Sequence, residues 1–278
     1  MKNLDKTSQS LYNVFKIGSV EEKMNQARRK KIVELLEARG AVTNDELMSI
    51  FEISIETVRR DLGYLEKCGL LERVYGGAVK KKFMRVEPDY VNRENENAQE
   101  KSQIAKCAVG FIESDESIFF DIGTTVLAVA KNVENKKFKA FTNALRTAIV
   151  LSEKDIEVTL TGGSVRKGES CVSGSIAEDT MSRFNLDVAF IGAGGIDENG
   201  VTDFIAQEAF FRKKIVDNAR KVIVVADYSK FGVRTGCNVC LIEDIDVLIT
   251  DSKAPRDFLK KIQRKGVQII IAEEIACP

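Results

Sequence analysis

The run Phe120-Asp121-Ile122-Gly123-Thr124-Thr125 leaves a short apolar stretch and enters a helical one, an order of residue types that can hold an anion. Glycine lets the backbone approach a ligand, and the two threonine hydroxyls join the free amides of a helix start, so a phosphate fits there. Three more segments offer polar groups just after apolar runs. Thr142-Asn143 follows the next run and Thr161-Gly162-Gly163 the one after, with Arg166 and Lys167 in the loop beyond. Ala226-Asp227-Tyr228-Ser229-Lys230 completes the set. Asp121, Asn143 and Asp227 suit sugar hydroxyls, and Lys230 suits a phosphate. Any one of these is an ordinary strand-end turn, where glycine and threonine are common. Their joint placement is what points to a ligand.

A second constellation lies in residues 26–79. Ile32, Leu35 and Leu36 form an apolar stripe, with Arg28, Arg29, Lys30 and Lys31 expected on the solvent side of the same short helix. Thr43-x-x-Glu46 is a capping box ahead of Leu47, Ile50 and Phe51. Ser54 then serves as N-cap for a third helix, in which Ile55, Val58, Leu62 and Leu65 repeat on one face. The other face carries Thr57, Arg59, Arg60 and Tyr64. Lys67-Cys68-Gly69 ends that helix, and Leu70 to Val79 reads as a basic hairpin turned by Gly76-Gly77. A hydroxyl- and arginine-rich helix suits the DNA major groove, and a basic hairpin beside it suits the backbone. The competing reading is a small helical domain that binds protein, its arginines merely solvated.

Bulk composition narrows the field by exclusion. Of 278 residues, 42 are basic and 42 acidic, so attraction to DNA must come from clusters such as Arg28 to Lys31 and Lys80 to Lys82. The first residues, MKNLDKTSQSLYNVF, lack the apolar core of a signal peptide, and no apolar run approaches the roughly 20 residues that span a bilayer. A cytoplasmic protein is expected. Six cysteines show one close pair, Cys237-x-x-Cys240, and there is no histidine, so no zinc site and no metal are expected and the thiols read as free. The lack of histidine also removes Ser-His and Cys-His catalysis. Gly192-x-Gly194-Gly195 lacks the full dinucleotide spacing, so no nicotinamide site and no cofactor are expected.

These groups are positioned by alternating helix and strand. Strands are expected at 117–120, 139–141, 157–160, 188–191, 222–226, 247–250 and 268–271, each short and continuously apolar and separated by helical patterns. The fold class is therefore α/β, with a mostly parallel sheet covered on both faces and ligands at the carboxyl ends of its strands. The expected organisation is an N-terminal extension over 1–24, a DNA-binding domain over 25–82, a polar linker or the start of a connecting helix over 83–100 and an α/β domain over 101–278.

Ser54-Ile-Glu-Thr57-Val-Arg59-Arg60-Asp61-Leu62, with Leu65, Gly69 and Glu72-Arg73-Val-Tyr75-Gly76-Gly77-Ala78, resembles the winged helix-turn-helix signature of DeoR-type bacterial transcription regulators. Asp121-x-Gly-Thr-Thr, Thr142-Asn143, Gly162-Gly163, Asp187-x-Ala-Phe-Ile-Gly192 and Ala-Asp227-x-Ser-Lys230 resemble the effector domain of that family, which is related in fold to ribose-5-phosphate isomerase. The resemblance spans about residues 25 to 272. It implies base contacts from Ser54, Thr57, Arg59 and Arg60, and backbone contacts from a wing carrying Arg73 and Tyr75. Tyr64 shares the exposed face, and Asp61 is expected to hold a neighbouring basic side chain. The resemblance also implies a phosphorylated sugar or sugar-like effector lined by Asp121, Gly123, Thr124, Thr125, Asn143, Gly163 and Lys230, with Glu208 as a weaker addition.

The implied protein is a repressor of a carbohydrate-metabolism operon, a homodimer or homotetramer on double-stranded operator DNA, with no catalytic residue. A promoting effector remains open beside a releasing one. The rival is a sugar-phosphate isomerase-like enzyme with an appended DNA-binding domain. Gly194 and Gly195 stand where the isomerases are expected to carry acids, which leaves Asp197 and Glu208 as the remaining carboxylates.

Overall fold

Ile32, Leu36, Leu47, Val58, Leu62, Leu65 and Leu71 are spaced along three helices and a strand, and all are buried in one cluster. They form the core of the first of two units, which divide between Lys81 and Lys82. The structure is a computed structural model, and it describes residues 20–67, 71–80, 82–83 and 87–272. Residues 1–19, the helix end expected at Cys68-Gly69, Lys81 of the basic cluster and Cys277 lie outside the described residues.

The first unit contains α1 (Val20–Arg39), β1 (Ala41–Thr43), α2 (Asn44–Phe51), α3 (Ile55–Lys67), β2 (Leu71–Val74) and β3 (Gly77–Lys80). α1 is 20 residues long rather than short, and it takes in part of the stretch expected as an unstructured extension. The capping box forms as expected. Thr43 Oγ1 accepts from the Glu46 amide at 3.2 Å, and the Glu46 carboxylate accepts from the Thr43 amide at 2.9 Å. Ser54 begins α3, its hydroxyl accepting from the Thr57 amide at 3.4 Å.

The wing is a three-stranded antiparallel sheet in the order β1-β3-β2, and the pairing of Val74 with Gly77 makes its turn Tyr75-Gly76, one residue earlier than expected. Gly77 belongs to the strand for a steric reason. A Cβ there would lie 2.1 Å from the Val42 carbonyl oxygen and 2.9 Å from Thr43 Cα. Gly77→Ala must therefore part β1 from β3, at a cost of about 3 kcal/mol, toward the upper end for overpacking. Urea unfolding of the full chain should show an earlier first transition, and an unchanged curve would refute the packing argument.

In the second unit β4 (Lys82–Phe83) precedes α4 (Tyr90–Asn95) and α5 (Ala98–Val109). Then come β5 (Ser117–Phe120), α6 (Thr124–Asn132), β6 (Lys139–Thr142), α7 (Leu145–Ser152), β7 (Glu157–Leu160), β8 (Ser164–Arg166), β9 (Cys171–Ser173), α8 (Ser175–Met181) and β10 (Leu186–Ile191). β11 (Gly195–Ile196), β12 (Gly200–Asp203), α9 (Ala206–Asn218), β13 (Ala219–Val225), β14 (Val233–Arg234) and β15 (Cys237–Leu241) follow. β16 (Val247–Asp251), α10 (Arg256–Gln263) and β17 (Gln268–Ala272) complete it.

Seven strands form a parallel sheet in the order β17-β16-β13-β10-β5-β6-β7. Phe119 and Ala189 face one apolar cluster, and Phe120 and Phe190 face another, so both faces of the sheet are covered. The alternation of strand and helix expected from the sequence is the observed one. A small antiparallel sheet, β11-β12-β15, and the β8-β9 hairpin are additions that short, mixed-polarity runs did not signal. Of the two readings of the polar stretch, linker or connecting helix start, the helical one describes Glu87 to Glu100, which forms α4 and the start of α5 within this unit.

Candidate functional site

Chain order in the sheet runs outward in two directions, from β5 through β6 to β7 and from β10 through β13 to β17. The topological switch point therefore lies between β5 and β10, and in an open α/β sheet the crevice at their carboxyl ends is where ligands bind. A cleft enclosing about 580 Å³, open solvent at its mouth included, sits there. Gly123, Thr124 and Thr125 reach it from β5, Gly192 to Gly194 from β10, and Asp227, Ser229 and Lys230 from β13. Gly123 has a φ of 122°, a conformation open to glycine, and it delivers the chain into α6, whose first-turn amides have no partner within the helix.

Among the described residues of the cleft, Lys230 is a cation free to meet an anion. It has no hydrogen bond or ion pair among the described residues, and burial holds its ammonium below the usual lysine range despite Asp227. Asp227 is engaged locally, accepting from the Ser229 amide at 3.0 Å, the Ser229 hydroxyl at 2.6 Å and the Asn97 side-chain amide at 3.0 Å.

A buried charge cluster forms part of the cleft wall, with Arg212 and Asp203 lining it and Asp121 set behind them. Arg212, 4% exposed, has its Nε 2.6 Å from Asp121 Oδ2, an ion pair set off the hydrogen-bonding axis, and its Nη1 on Asp203. Burial pushes the Asp121 carboxyl up to about 6, against the pull of Arg212 and of the Gly192 amide that it accepts at 3.0 Å. Burial likewise raises Glu208 above the usual carboxylate range.

The sequence placed thirteen residues at the effector site, and the structure gathers only some of them at the cleft. Gly123, Thr124, Thr125, Asp227 and Lys230 line it. Asp121 is fully buried behind it and turned to Arg212 rather than toward a ligand. Thr142 and Asn143 end β6, one strand farther out, where the Thr142 hydroxyl donates to the Phe120 carbonyl at 2.7 Å. Gly162 and Gly163 end β7, two strands out, with Gly163 pressed against the Ser173 backbone. Arg166 is spent on Glu208 at 2.5 Å and Glu87 at 2.6 Å, and Lys167 is exposed in the hairpin turn. Glu208 and Asp197, the carboxylates kept for an isomerase, both point elsewhere. Asp197 accepts from the Asn199 and Gly200 amides and pairs with Arg234 at 2.9 Å.

Sequence reasoning missed Glu87, Arg93 and Asn97, which line the cleft from the segment read as a linker or connecting helix start, and Lys101 just beyond it. Arg93 pairs with Glu169 and, at 3.1 Å, with Glu87, while Lys101 donates to the Glu96 carbonyl at 2.6 Å and to that of Arg93. Tyr90, nearly fully buried beside exposed Val91 in an otherwise mostly polar stretch, is the trace of this packing in the sequence.

On the first unit, Ser54, Arg59, Arg60, Arg73 and Tyr75 are exposed and Thr57 is half-buried. Arg59, Arg73 and Tyr75 border one groove between α3 and the wing, with Tyr75 fully exposed at the turn. Arg59 and Arg60 have no hydrogen bond or ion pair from their side chains among the described residues. Arg28 and Arg29 depart from expectation. Their Nε atoms grip the two oxygens of Asp61, itself 1% exposed, at 2.5 and 2.7 Å, and Arg29 also lies 3.9 Å over the Tyr64 ring. Asp61 thus holds basic side chains as expected, but they come from the cluster assigned to solvent, and Tyr64 is partly covered. Cys171, Cys237 and Cys240 are free thiols, whereas Cys107 is disulfide-bonded, against the expectation of free thiols.

The chain matches two family descriptions, a DeoR-like helix-turn-helix domain over residues 28–82 and a DeoR C terminal sensor domain over 96–252. It is 37% identical to the HTH-type transcriptional regulator GlpR of Haloferax volcanii, over 87% of this chain and 96% of that protein. With the glycerol-3-phosphate regulon repressor of Escherichia coli the identity is 32%, over 88% of this chain and 99% of the other. Among solved structures, the ribose 5-phosphate isomerase A of Methanocaldococcus jannaschii superposes with a TM-score of 0.38 at 17% identity, covering 49% of this chain and 55% of that one.

Proposed function

This chain belongs to the DeoR family of transcriptional regulators, and from that membership we propose a repressor of a carbohydrate-metabolism operon that is released by a phosphorylated sugar or polyol. It is a DNA-binding regulator and not an enzyme. The observation that carries the effector class is the switch-point cleft. Unpartnered Lys230 faces the same cavity as the first turn of α6, so a phosphate there meets both a full positive charge and aligned amides. Asn97 and Asp227, in the same cleft, suit the hydroxyls of the attached chain. On the operator, α3 supplies Ser54, Thr57, Arg59 and Arg60 to the major groove, and the wing sets Arg73 and Tyr75 on the backbone.

A homodimer or homotetramer follows from the demand of paired half-sites, since one recognition helix reads only one of them. No described helix is long and apolar enough to cross a membrane, and a DNA-reading protein belongs with the chromosome in the cytoplasm. Linkage supplies the switch, because a metabolite that prefers an arrangement with mismatched half-site spacing must weaken operator binding reciprocally.

A mobility-shift titration on the DNA upstream of neighbouring sugar-metabolism genes, with a panel of sugar and polyol phosphates, tests this. One of them should release a specific complex, and failure to bind any duplex ends the repressor reading. Lys230→Ala should leave duplex binding intact and raise the effector concentration needed for release by about 10- to 150-fold, because a charge-assisted phosphate bond contributes on the order of 1.5–3 kcal/mol. Normal release by that variant would misplace the phosphate.

A further inference from the structure

The segment from Glu87 to Asn97 has two attachments at once. By sequence, only residues 81–86 separate it from wing strand β3. By structure, it lines the effector cleft through Glu87, Arg93 and Asn97. Whatever occupies the cleft therefore touches the stretch of chain that leads directly into the DNA-binding unit.

Arg93 is the residue on which this segment turns. Its Nε donates to the Pro88 carbonyl at 2.9 Å, and Nη2 is shared between Glu87 and Glu169. Nη1 has no hydrogen-bond partner among the described residues, although the side chain is half-buried and borders the cleft. Its carbonyl accepts from the Thr124 hydroxyl at 3.3 Å, so the first turn of α6 is tied to the same segment. Arg166 holds the far oxygen of Glu87 and continues to Glu208. Three carboxylates thus share two guanidiniums, and an anion in the cleft competes with Glu87 and Glu169 for Arg93 while drawing on the Thr124 hydroxyl.

We propose that Arg93 is an effector-binding residue and the one through which occupancy of the cleft is transmitted. An anion seated at α6 takes the open donors of Arg93 and the Thr124 hydroxyl. The ties of the 87–97 segment to Glu87, Glu169 and Thr124 are exchanged for ties to the ligand. Lys230, which has no such ties, supplies affinity without transmission. The inference rests on the repressor reading above.

The test separates affinity from coupling. Full-length protein is titrated with the panel of sugar and polyol phosphates, and with inorganic phosphate, by thermal shift and by release of a duplex selected from a random library. In the wild type, a compound that raises the melting temperature should weaken duplex binding at least about 10-fold, within the usual range of allosteric coupling. Arg93→Gln should still bind that compound, with affinity reduced at most about 10-fold, yet its duplex affinity with and without the compound should be nearly equal. Release by Arg93→Gln with the wild-type ratio overturns the inference while leaving the repressor reading intact. Absence of release in the wild type overturns the repressor reading and the inference with it. Should Arg93→Gln fail to fold, Glu87→Gln replaces it. That variant loosens the same clamp and should bind the duplex less tightly without any compound; unchanged duplex affinity overturns the inference.

Discussion

Methionine in place of Arg212 should destabilise the second unit by roughly 3–5 kcal/mol, the usual result of removing one partner from a buried ion pair. Arg212 is 4% exposed and lies against Asp121 and Asp203, with Glu208 close enough to stabilise its charge. Methionine fills much of the volume, so the loss arises chiefly from stranded carboxylates rather than from a cavity. The pH dependence distinguishes the two. In the intact protein the Asp121 carboxyl is raised from 3.8 to about 6, so the folded state holds that proton more tightly than the unfolded chain does. Its contribution to stability is present below the unfolded value and is lost as pH rises through the folded one. Without Arg212 the folded value climbs further, so the deficit should be widest above neutrality and should shrink as the solution is acidified. Urea unfolding at several pH values measures this. A deficit of constant size across that range would mean lost packing, not stranded charge.

Alanine at position 60 should abolish much of the discrimination between operator and unrelated duplex while sparing the fold. Arg60 is exposed on α3 and has no side-chain partner to lose, so stability should remain within about 0.5 kcal/mol of the wild type. A lost bidentate base contact costs on the order of 1–3 kcal/mol, about 5- to 150-fold in specificity ratio. Arg73→Ala on the wing should instead weaken all duplexes alike and lower the salt slope by about one. Competition mobility shifts at two salt concentrations separate these outcomes. An Arg60→Ala protein with an unchanged specificity ratio would mean that α3 reads the groove with other residues.

Legibility in the sequence followed the strength of each local signal. The Thr43 and Glu46 cap, the Ile55-Val58-Leu62-Leu65 face and the continuously apolar parallel strands each follow a short-range rule, and the structure shows them where the sequence implied. The antiparallel strands around Gly195 and Gly200 pair with each other locally but are completed only by β15, distant in the chain, and their own few residues are too short a run to announce them. At the cleft, strand-end chemistry was visible but strand order was not. Thr142-Asn143 and Gly162-Gly163 look as suitable as Gly123-Thr124-Thr125 until β6 and β7 are seen to lie outside the switch point. Arg93 was hidden by its neighbours, because a polar run with one buried tyrosine has no helical periodicity to read. Arg28 and Arg29 were misassigned for the opposite reason. A basic cluster at a helix start reads as solvated until the carboxylate of Asp61 is brought under it by the fold.

That carboxylate also bears on how the protein shares a cell with a whole chromosome. Two arginines turned inward are two cations withheld from phosphates, and each withheld contact removes about 0.9 from the slope of log affinity on log salt for any duplex. The base reading proposed for α3 loses nothing by this, since Arg59 and Arg60 stay outside the clamp. Random genomic sequence, present in enormous excess over the control site, becomes a weaker trap. The control site loses the same phosphate term, so a larger share of its remaining affinity comes from base contacts.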